Sequence, residues 1–301
     1  MKVYCPICGC SDLLQILQGR VDKEFGFAVP GLKYYQCLRS LCRHVHAAPT
    51  PRDEVIRTLY KEYTTHEAYR PKGVGRLFAV HNNRKRVRQK KFLLDLCHGN
   101  TGIRILDYGC GNGILLKELA DLGFTDLTGY DFDHKAVSVV RSLGFRCHSD
   151  PENIKPSTIE VIFLNHVLEH VPRPKQLISH LIELTTPGGI IYIRTPNGQS
   201  LLARICGANW RGWETPRHLN VFSCASLKSL LETVPGAKII EIKTSNDLLL
   251  AMSVASLPTI INKSKIMKWG LAMILFVITS VFSKFFKDYG EEVVAVIRRE
   301  K

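Results

Sequence analysis

Segments with strand-like and helix-like spacing of apolar residues alternate from Ile103 to the end of the chain. Short runs of branched apolar residues are followed by stretches in which apolar residues recur every three or four positions, as in an amphipathic helix. This alternation predicts an α/β fold, with a parallel sheet and helices on both of its faces. The predicted strands are 103–108, 127–131, 145–148, 159–164, 190–195, 237–244 and 292–298, and the predicted helices are 113–122, 134–143 and 174–185.

The segment 246–288, before the last predicted strand, interrupts this pattern. Its two apolar stretches, "DLLLAMSVASLPTII" and "IMKWGLAMILFVITSVFSKFF", are separated by lysine-containing residues and flanked by further lysines. Each uninterrupted apolar run has about 14 residues, fewer than the roughly 20 that a bilayer-spanning helix needs. We therefore predict an apolar helical hairpin. It would serve as a lid, as a dimer surface or as a monotopic anchor that contacts a membrane through 248–287.

Residues 1–48 are predicted to form a separate small module. "CPIC" places Cys5 and Cys8 two residues apart, and "CLRSLCRHVH" adds Cys37 and Cys42. Two such pairs suit a tetrahedral structural zinc site, whose binding energy would fold a module too small to bury a large core. We predict these four cysteines as the zinc ligands of a zinc-ribbon-like module, with His44 as a substitute for one of them. Reduced structural thiols and a redox pair at Cys5 and Cys8 are the alternatives.

The net charge of the chain bears on the kind of partner that it binds. The formal net charge is +14, which indicates an anionic partner: a phosphate-bearing small molecule, a nucleic acid or an acidic membrane surface. Residues 49–102 are predicted to form a helical linker, in which the run "RKRVRQKK" lies on a solvated face. The N-terminus lacks the apolar segment of a secretory signal, which predicts a cytoplasmic location, at the inner face of the membrane if the hairpin is an anchor.

The stretch "ILDYGCGNG" carries the first candidate chemistry. Asp107 ends a predicted strand, and Gly109, Gly111 and Gly113 lead into a helix. The spacing differs from the G-x-G-x-x-G of dinucleotide sites, and Asp107 would repel a pyrophosphate. The amino-acid end of a ligand fits better, because its ammonium meets the carboxylate while its own carboxylate meets the backbone N–H groups at the helix N-terminus.

With these residues the chain resembles the class I S-adenosylmethionine-dependent methyltransferases, whose first motif is D-x-G-x-G-x-G. "LTGYDFD", "VIFLNHVLEHVPRP" and "TPGGIIYIRTPN" resemble the family's second, fourth and fifth strand segments in the same order. The resemblance is to the small-molecule branch, methyltransferase types 11 and 23, and covers residues 103 to about 245.

This resemblance implies a Rossmann-like seven-stranded sheet in a domain 103–301, with "EEVVAVIRR" as the antiparallel last strand and 246–288 as an insertion. Asp131 would accept hydrogen bonds from the ribose hydroxyls, and Asp150 would meet the adenine amine. The cofactor-binding residues it implies are Asp107, Gly109, Gly111, Gly113, Asp131, Phe132, Asp150 and Asn165.

The predicted function is methyl transfer from S-adenosylmethionine to a small-molecule, sugar or lipid-linked acceptor of anionic character. A base for that reaction belongs near the carboxyl ends of the fourth and fifth strands, and histidine suits proton abstraction. The catalytic candidates are His166, Glu169, His170 and His218. His170 and His218 are favoured for the acceptor side, while capping or packing is the ordinary alternative for each.

Two other functions stay open at this point. A zinc ribbon ahead of a basic methyltransferase domain also resembles RNA base methyltransferases that read RNA with the ribbon. Against it, "LNHV" stands after the fourth strand, where an N-P-P-Y-like motif would serve methylation of an exocyclic amine. The third hypothesis is a non-catalytic scaffold that binds S-adenosylmethionine without turning it over.

Overall fold

The computed structural model of the protein describes residues 2–21, 26–60, 94–95, 99–246 and 265–301. Its strands are β1 (Leu13–Gln18), β2 (Lys33–Cys37), β3 (Val45–Ala48), β4 (Arg104–Tyr108), β5 (Asp126–Tyr130), β6 (Arg146–His148), β7 (Ile159–Asn165), β8 (Thr185–Pro196), β9 (Asn220–Val221), β10 (Ala237–Ser245) and β11 (Glu292–Arg299). Its helices are α1 (Asp53–Tyr60), α2 (Ile114–Ala120), α3 (His134–Ser142), α4 (Pro174–Leu184), α5 (Leu201–Cys206), α6 (Cys224–Leu231) and α7 (Lys265–Phe285).

The main sheet has seven strands in the order β6-β5-β4-β7-β8-β11-β10. The pairs β5/β6, β4/β5, β4/β7 and β7/β8 are parallel, whereas β11 is antiparallel to both β8 and β10. The predicted α/β fold, with a seven-stranded sheet and an antiparallel last strand, is therefore confirmed. The order reverses beside β4, so the carboxyl ends of β4 and β7 open a crevice where ligands of such sheets bind.

Two hydrophobic clusters cover the two faces of this sheet. Ile105 packs into one of them with Leu116 of α2 and Val140 of α3, and the next residue, Leu106, packs into the other with Leu227 of α6. Successive strand residues point to opposite faces, so burial on both faces explains why the central strands are continuously apolar. The glycine loop follows β4 directly, and the candidate bases His166 and His170 follow β7.

A second, four-stranded sheet has the order β1-β2-β3-β9. Its first three strands lie within the predicted module 1–48, and its fourth, β9, belongs to the part of the chain predicted as the methyltransferase domain. Leu32 and Tyr34 share a hydrophobic cluster with Leu202, Trp210 and Leu219. The N-terminal strands therefore share both a sheet and a hydrophobic core with the larger domain.

Part of the predicted hairpin 246–288 is present as the helix α7. Ala272 and Leu275 are buried in the cluster that also holds Leu202, and the opposite side of the helix carries exposed aliphatic and aromatic residues. These exposed residues are Ile274, Val277, Ile278, Val281 and Phe285. Across the part of the chain that the structure describes, no helix combines the length and the apolar character needed to cross a membrane.

Two other predictions fall partly outside the described residues. The first apolar stretch of the hairpin lies within 247–264, which is not described. The basic run of the predicted linker lies within 61–93, which is likewise not described; the helix α1 lies at the start of that linker, and the linker as a whole stays a prediction.

Candidate active site and cysteine cluster

The glycine loop after β4 is fixed by its backbone conformation and by one close neighbour. Gly109, Gly111 and Gly113 have φ values of 83°, 51° and 74°, a region in which any side chain is strained. A Cβ on Gly109 would lie 2.4 Å from Cγ2 of Val167. Glycine is therefore required here by contact with the segment after β7, and this contact places the loop beside the predicted catalytic residues.

Asp131 ties the end of β5 to the same loop. Its Oδ2 accepts a hydrogen bond from the Gly111 N–H at 2.9 Å, and its Oδ1 accepts one from the Asp133 N–H at 2.9 Å. Asp107 is buried at the end of β4, and burial, together with the negative charge of Asp131, raises its pKa to about 7. Two neighbouring acidic groups in a buried site favour a cationic ligand group next to them.

The remaining predicted cofactor residues lie on the same edge of the sheet. Phe132 follows Asp131 and is 45% exposed. Asp150 is exposed, and its carboxylate caps the turn Pro151–Asn153 by accepting a hydrogen bond from the Glu152 N–H at 3.1 Å. Asn165 is half-buried at the end of β7. Their part in cofactor binding stays a prediction, and the cap gives Asp150 a structural role in addition.

His166 lies at the centre of an ion-pair network between the ends of β7 and β11. Its Nε2 lies 3.0 Å from Oε1 of Glu292, and its Nδ1 lies 3.3 Å from Oε1 of Glu169. Burial lowers the imidazole pKa, but the two carboxylates outweigh burial and raise that pKa to about 9. The ring is then an imidazolium at neutral pH, a state that offers no lone pair for proton abstraction.

The backbone of His166 is strained in a way that supports a functional location. Its φ of 53° lies in the left-handed region, which residues other than glycine rarely adopt. The surrounding structure holds this conformation: the His166 N–H donates to the Arg194 carbonyl at 2.8 Å, in addition to the two ion pairs of its ring. Position 166 is thus fixed from three sides.

His170 and His218 lie together, with ring centroids 4.6 Å apart and planes at 67°. Nδ1 of His170 lies 3.2 Å from the Arg217 carbonyl, and Nδ1 of His218 lies 2.7 Å from the Gly212 carbonyl. A carbonyl only accepts hydrogen bonds, so each Nδ1 carries a hydrogen, and in the neutral His170 ring the lone pair is on Nε2. Burial, together with the charge of His218, lowers the pKa of His170 to about 4, so this ring is neutral.

Glu169 joins these two histidines. One of its carboxylate oxygens and one ring nitrogen of each of His170 and His218 all lie within 4.8 Å of one another. Its side chain is 1% exposed; burial raises its pKa, but the hydrogen bond from His166 and the electrostatic influence of the neighbouring histidines outweigh burial and lower that pKa to about 2. All four predicted catalytic residues are therefore brought to one place at the carboxyl edge of the sheet.

Glu214 is a site residue that the sequence alone did not reveal. Its Oε2 lies 3.5 Å from Nε2 of His218, and its Oε1 lies 2.7 Å from the buried guanidinium of Arg217. The charges of His218, Arg211 and Arg217 overcome burial and lower its pKa to about 2. Its position four residues before His218 was the available signal, but the segment is irregular, with a φ of 33° at Glu214, so helical spacing did not apply.

Glu292 is the second unpredicted residue. It opens β11 as a nearly fully buried carboxylate, which contacts His166 and lies 3.8 Å from Nε of Arg194. The acidic pair Glu291–Glu292 at the start of an apolar strand was the signal, since carboxylates are rarely buried without a partner. Its partners, His166 and Arg194, are distant in the sequence and are brought to Glu292 by the pairing of β11 with β8.

The four predicted zinc ligands lie together in the N-terminal sheet. The Sγ atoms of Cys5, Cys8, Cys37 and Cys42 all lie within 4.8 Å of one another. Sγ of Cys5 is 3.7 Å from that of Cys42, and Sγ of Cys8 is 3.6 Å from that of Cys37. A tetrahedral site with Zn–S bonds of about 2.3 Å has sulfur–sulfur distances of about 3.8 Å, so the spacing of these thiols suits the metal.

Backbone amides point at three of these sulfurs. The N–H groups of Ile7 and Cys8 donate to Cys5, and those of Arg39 and His44 donate to Cys37 and Cys42 respectively. Such donors stabilise a thiolate, the form that binds metal. The prediction of His44 as a substitute ligand is wrong, because its Nε2 lies 2.9 Å from Oδ1 of Asn220. Among the described residues, the cluster consists of these four cysteines.

Comparisons with known proteins agree with this geometry. A family described as "methyltransferase domain" matches residues 79–235, more than half of the chain. The ubiquinone biosynthesis O-methyltransferase of Photobacterium profundum is 30% identical over 129 residues, which are 39% of this chain and 54% of that protein. The enzyme of the same description from Paraburkholderia phymatum is 34% identical over 122 residues, 36% of this chain and 52% of that protein. The chain thus spans about half the length of these relatives.

Among solved structures, an S-adenosylmethionine-dependent methyltransferase from Archaeoglobus fulgidus is similar, with 18% sequence identity and a TM-score of 0.46 over 74% of this chain and 100% of that one. The family match decides the classification. The chain belongs to the class I S-adenosylmethionine-dependent methyltransferases.

The ion-pair network predicts a pH dependence of stability. The pKa of His166 is raised from 6.5 to about 9 on folding, so its contribution is complete below pH 6.5 and is lost as the pH rises through 9. We expect the unfolding free energy of the wild type to fall by about 1–2 kcal/mol more than that of His166→Gln between pH 7 and pH 10, after discounting for partial exposure. Denaturant titration across this range measures it.

His134→Gln is the matched control for that measurement, because His134 is exposed at the start of α3. The unfolding free energy of His134→Gln should fall between pH 7 and pH 10 by as much as that of the wild type. An equal loss in His166→Gln as well would contradict the assigned ion pairs.

Proposed function

We propose that the protein transfers a methyl group from S-adenosylmethionine to a hydroxyl of a small-molecule acceptor, with His170 as the general base. The observation that carries this proposal is the pairing of the rings of His170 and His218. His170 lies on the segment after β7, whose Val167 contacts the glycine loop. Family membership supports the methyl donor. The O-methyltransferase relatives, which match over about half of their length, support an oxygen acceptor of small size.

The residues around the glycine loop fit the methyl donor. Asp107 and the loop amides suit its zwitterionic amino-acid end, and the carboxylate of Asp131 suits ribose hydroxyls. Phe132, Asp150 and Asn165 lie on the same edge and complete the proposed contacts. When bound, S-adenosylmethionine supplies a methyl group that its sulfonium makes electrophilic.

The chain's own task is then to orient the acceptor and remove its proton. His170 suits this task because its ring is neutral and its Nδ1 is held by the Arg217 carbonyl, which directs the lone pair to Nε2. The carboxylate of Glu169 lies close enough to stabilise the imidazolium that forms. His166 keeps that carboxylate in place, and His218, held between the Gly212 carbonyl and Glu214, fixes the other side of the ring.

The acceptor class we propose is small and anionic, either a sugar derivative or a lipid-linked intermediate. The net charge of +14 supports an anionic group. The exposed row of Ile274, Val277, Ile278 and Val281 on α7 supports the lipid-linked form and peripheral membrane contact, because α7 packs on the cluster that contains Leu219, next to His218.

We propose in addition that the N-terminal cysteines bind one structural zinc ion. Cys5, Cys8, Cys37 and Cys42 provide four sulfurs at suitable spacing, three of them with amide donors. Such an ion would stabilise the fold of the N-terminal sheet.

Asp131→Ala should raise the dissociation constant of S-adenosylmethionine about 10- to 100-fold, because charge-assisted hydrogen bonds to the ribose are lost. Isothermal titration calorimetry measures it. Asp133→Ala is the control, since Asp133 only caps α3 by accepting from the Lys135 N–H; its affinity should stay within about twofold of the wild type. An unchanged constant in Asp131→Ala would refute the ribose contact.

Elemental analysis should find about one zinc per chain, and Cys5→Ser with Cys8→Ser should lose it together with part of the thermal stability. Cys10→Ser should keep the metal, because Cys10 stands outside the cluster with its Sγ on the Asp12 carbonyl. Well-folded wild-type protein that contains no zinc would contradict the assignment.

Transfer of labelled methyl groups from S-adenosylmethionine into separate lipid, sugar-nucleotide and RNA fractions tests the proposed function as a whole. Label in the lipid or sugar fraction, reduced by about two to four orders of magnitude in His170→Ala, is the expected result. Label in RNA would favour the base-methyltransferase hypothesis instead. Tight cofactor binding with no labelled product in any fraction would favour a scaffold.

A further inference from the structure

The segment that carries His218 is paired to the N-terminal sheet. β9 begins two residues after His218, and its residues Asn220 and Val221 pair antiparallel with His46 and Val45 of β3. The carbonyl of Leu219, which lies between His218 and β9, accepts a hydrogen bond from the Ala47 N–H at 2.8 Å. The N-terminal strands therefore hold the backbone on the C-terminal side of His218.

The other side of the same segment is held by the methyltransferase domain. The Leu219 N–H donates to the Glu169 carbonyl at 2.8 Å, and Nδ2 of Asn220 donates to the Val171 carbonyl at 2.7 Å. Leu219 is thus hydrogen-bonded to both parts of the chain, with its N–H on a proposed catalytic residue and its carbonyl on the N-terminal sheet. Any displacement of β3 would be transmitted to the backbone beside Glu169 and His218.

Two buried side chains of the N-terminal sheet reinforce this arrangement. The hydroxyl of Tyr34 donates to the His218 carbonyl at 2.9 Å, and its ring meets that of Trp213 edge-on at 5.6 Å. Nε2 of His44 bonds Oδ1 of Asn220 at 2.9 Å. All of these atoms are remote from solvent, so loss of a hydrogen bond there leaves a buried polar group unsatisfied.

The segment needs such external support. Between α5 and β9 it contains only two short 3₁₀ turns, Gly207–Asn209 and Arg211–Trp213, and Glu214 has a left-handed backbone. A short irregular stretch has few hydrogen bonds of its own and depends on its surroundings to fix side-chain positions. Arg20 adds to that support, since its N–H bonds Oγ1 of Thr215 at 3.0 Å and its guanidinium bonds the Ala208 carbonyl.

We infer that the N-terminal sheet positions the acceptor side of the active site, with Tyr34 and His44 as positioning residues that act through His218 and Asn220. The inference rests on the proposed function of the His170–His218 pair. In this interpretation the cysteine cluster stabilises a wall of the active site of its own chain, and it influences methyl transfer without touching the methyl donor.

The test compares Tyr34→Phe with Tyr35→Phe by hydrogen–deuterium exchange of the segment 211–222. Tyr35 is the next residue of β2, half-buried against His46. In Tyr34→Phe we expect exchange of this segment to be about five- to tenfold faster, the effect of one lost buried hydrogen bond, and the NMR chemical shifts of the His218 ring to change. Tyr35→Phe should match the wild type in both.

Affinity for S-adenosylmethionine should change less than about twofold in both variants, while labelled methyl transfer falls about fivefold in Tyr34→Phe alone. A role confined to folding would instead accelerate exchange across the whole domain and leave the chemical shifts of the His218 ring unchanged. His44→Leu provides an independent variant, in which the exchange of 211–222 should again be faster, and His44→Gln should restore protection because its amide can still donate to Asn220.

Wild-type exchange and unchanged chemical shifts of the His218 ring in both Tyr34→Phe and His44→Leu would overturn the inference. That result is distinguishable from a failure of the proposed function. If the wild type neither binds S-adenosylmethionine nor transfers label, the proposed function is wrong, whatever the exchange experiment shows.

Discussion

The placement of the imidazolium of His166 between two buried carboxylates is the constraint on which the site depends. Glu169 and Glu292 come from segments 123 residues apart in the chain, and neither carboxylate could be buried at low cost without a cation. The pair of contacts joins the end of β7 to the start of β11. It also fixes the turn that presents Val167 to the glycine loop and His170 to the opposite side.

From Glu169 the same constraint continues into the backbone. Its carbonyl holds Leu219, and Leu219 in turn holds Ala47 of β3. These two hydrogen bonds therefore connect Glu169, the residue before the proposed base, to the N-terminal sheet. Because each of these groups is buried, each bond excludes water, and the cost of breaking one is the desolvation of its partner.

The N-terminal cysteines lie beside strands that are packed against the larger domain, not in an independent module. Three strands beside a cysteine cluster would by themselves bury little apolar surface, yet Leu32, Tyr34 and Val45 share their core with Trp210 and Leu219. The strands and the domain complete each other's packing. The proposed zinc ion would therefore stabilise the same strands that hold the segment of His218.

The alternation of apolar patterns by itself determined the α/β fold and the seven strands of the main sheet, because burial on two faces leaves long apolar runs that local residue spacing reveals; the four strands of the smaller sheet were not predicted. Motif spacing and family resemblance likewise predicted Asp107 and Asp131, and spacing predicted the pairs Cys5–Cys8 and Cys37–Cys42, since the residues within each motif or pair are close together in sequence. Glu214, Glu292, Tyr34 and Asn220 were decided only by the tertiary structure. Their partners are distant in the chain or lie in irregular backbone, where no periodicity relates one residue to the next, and only the packing of β9 against β3 and of β11 against β8 brings them together.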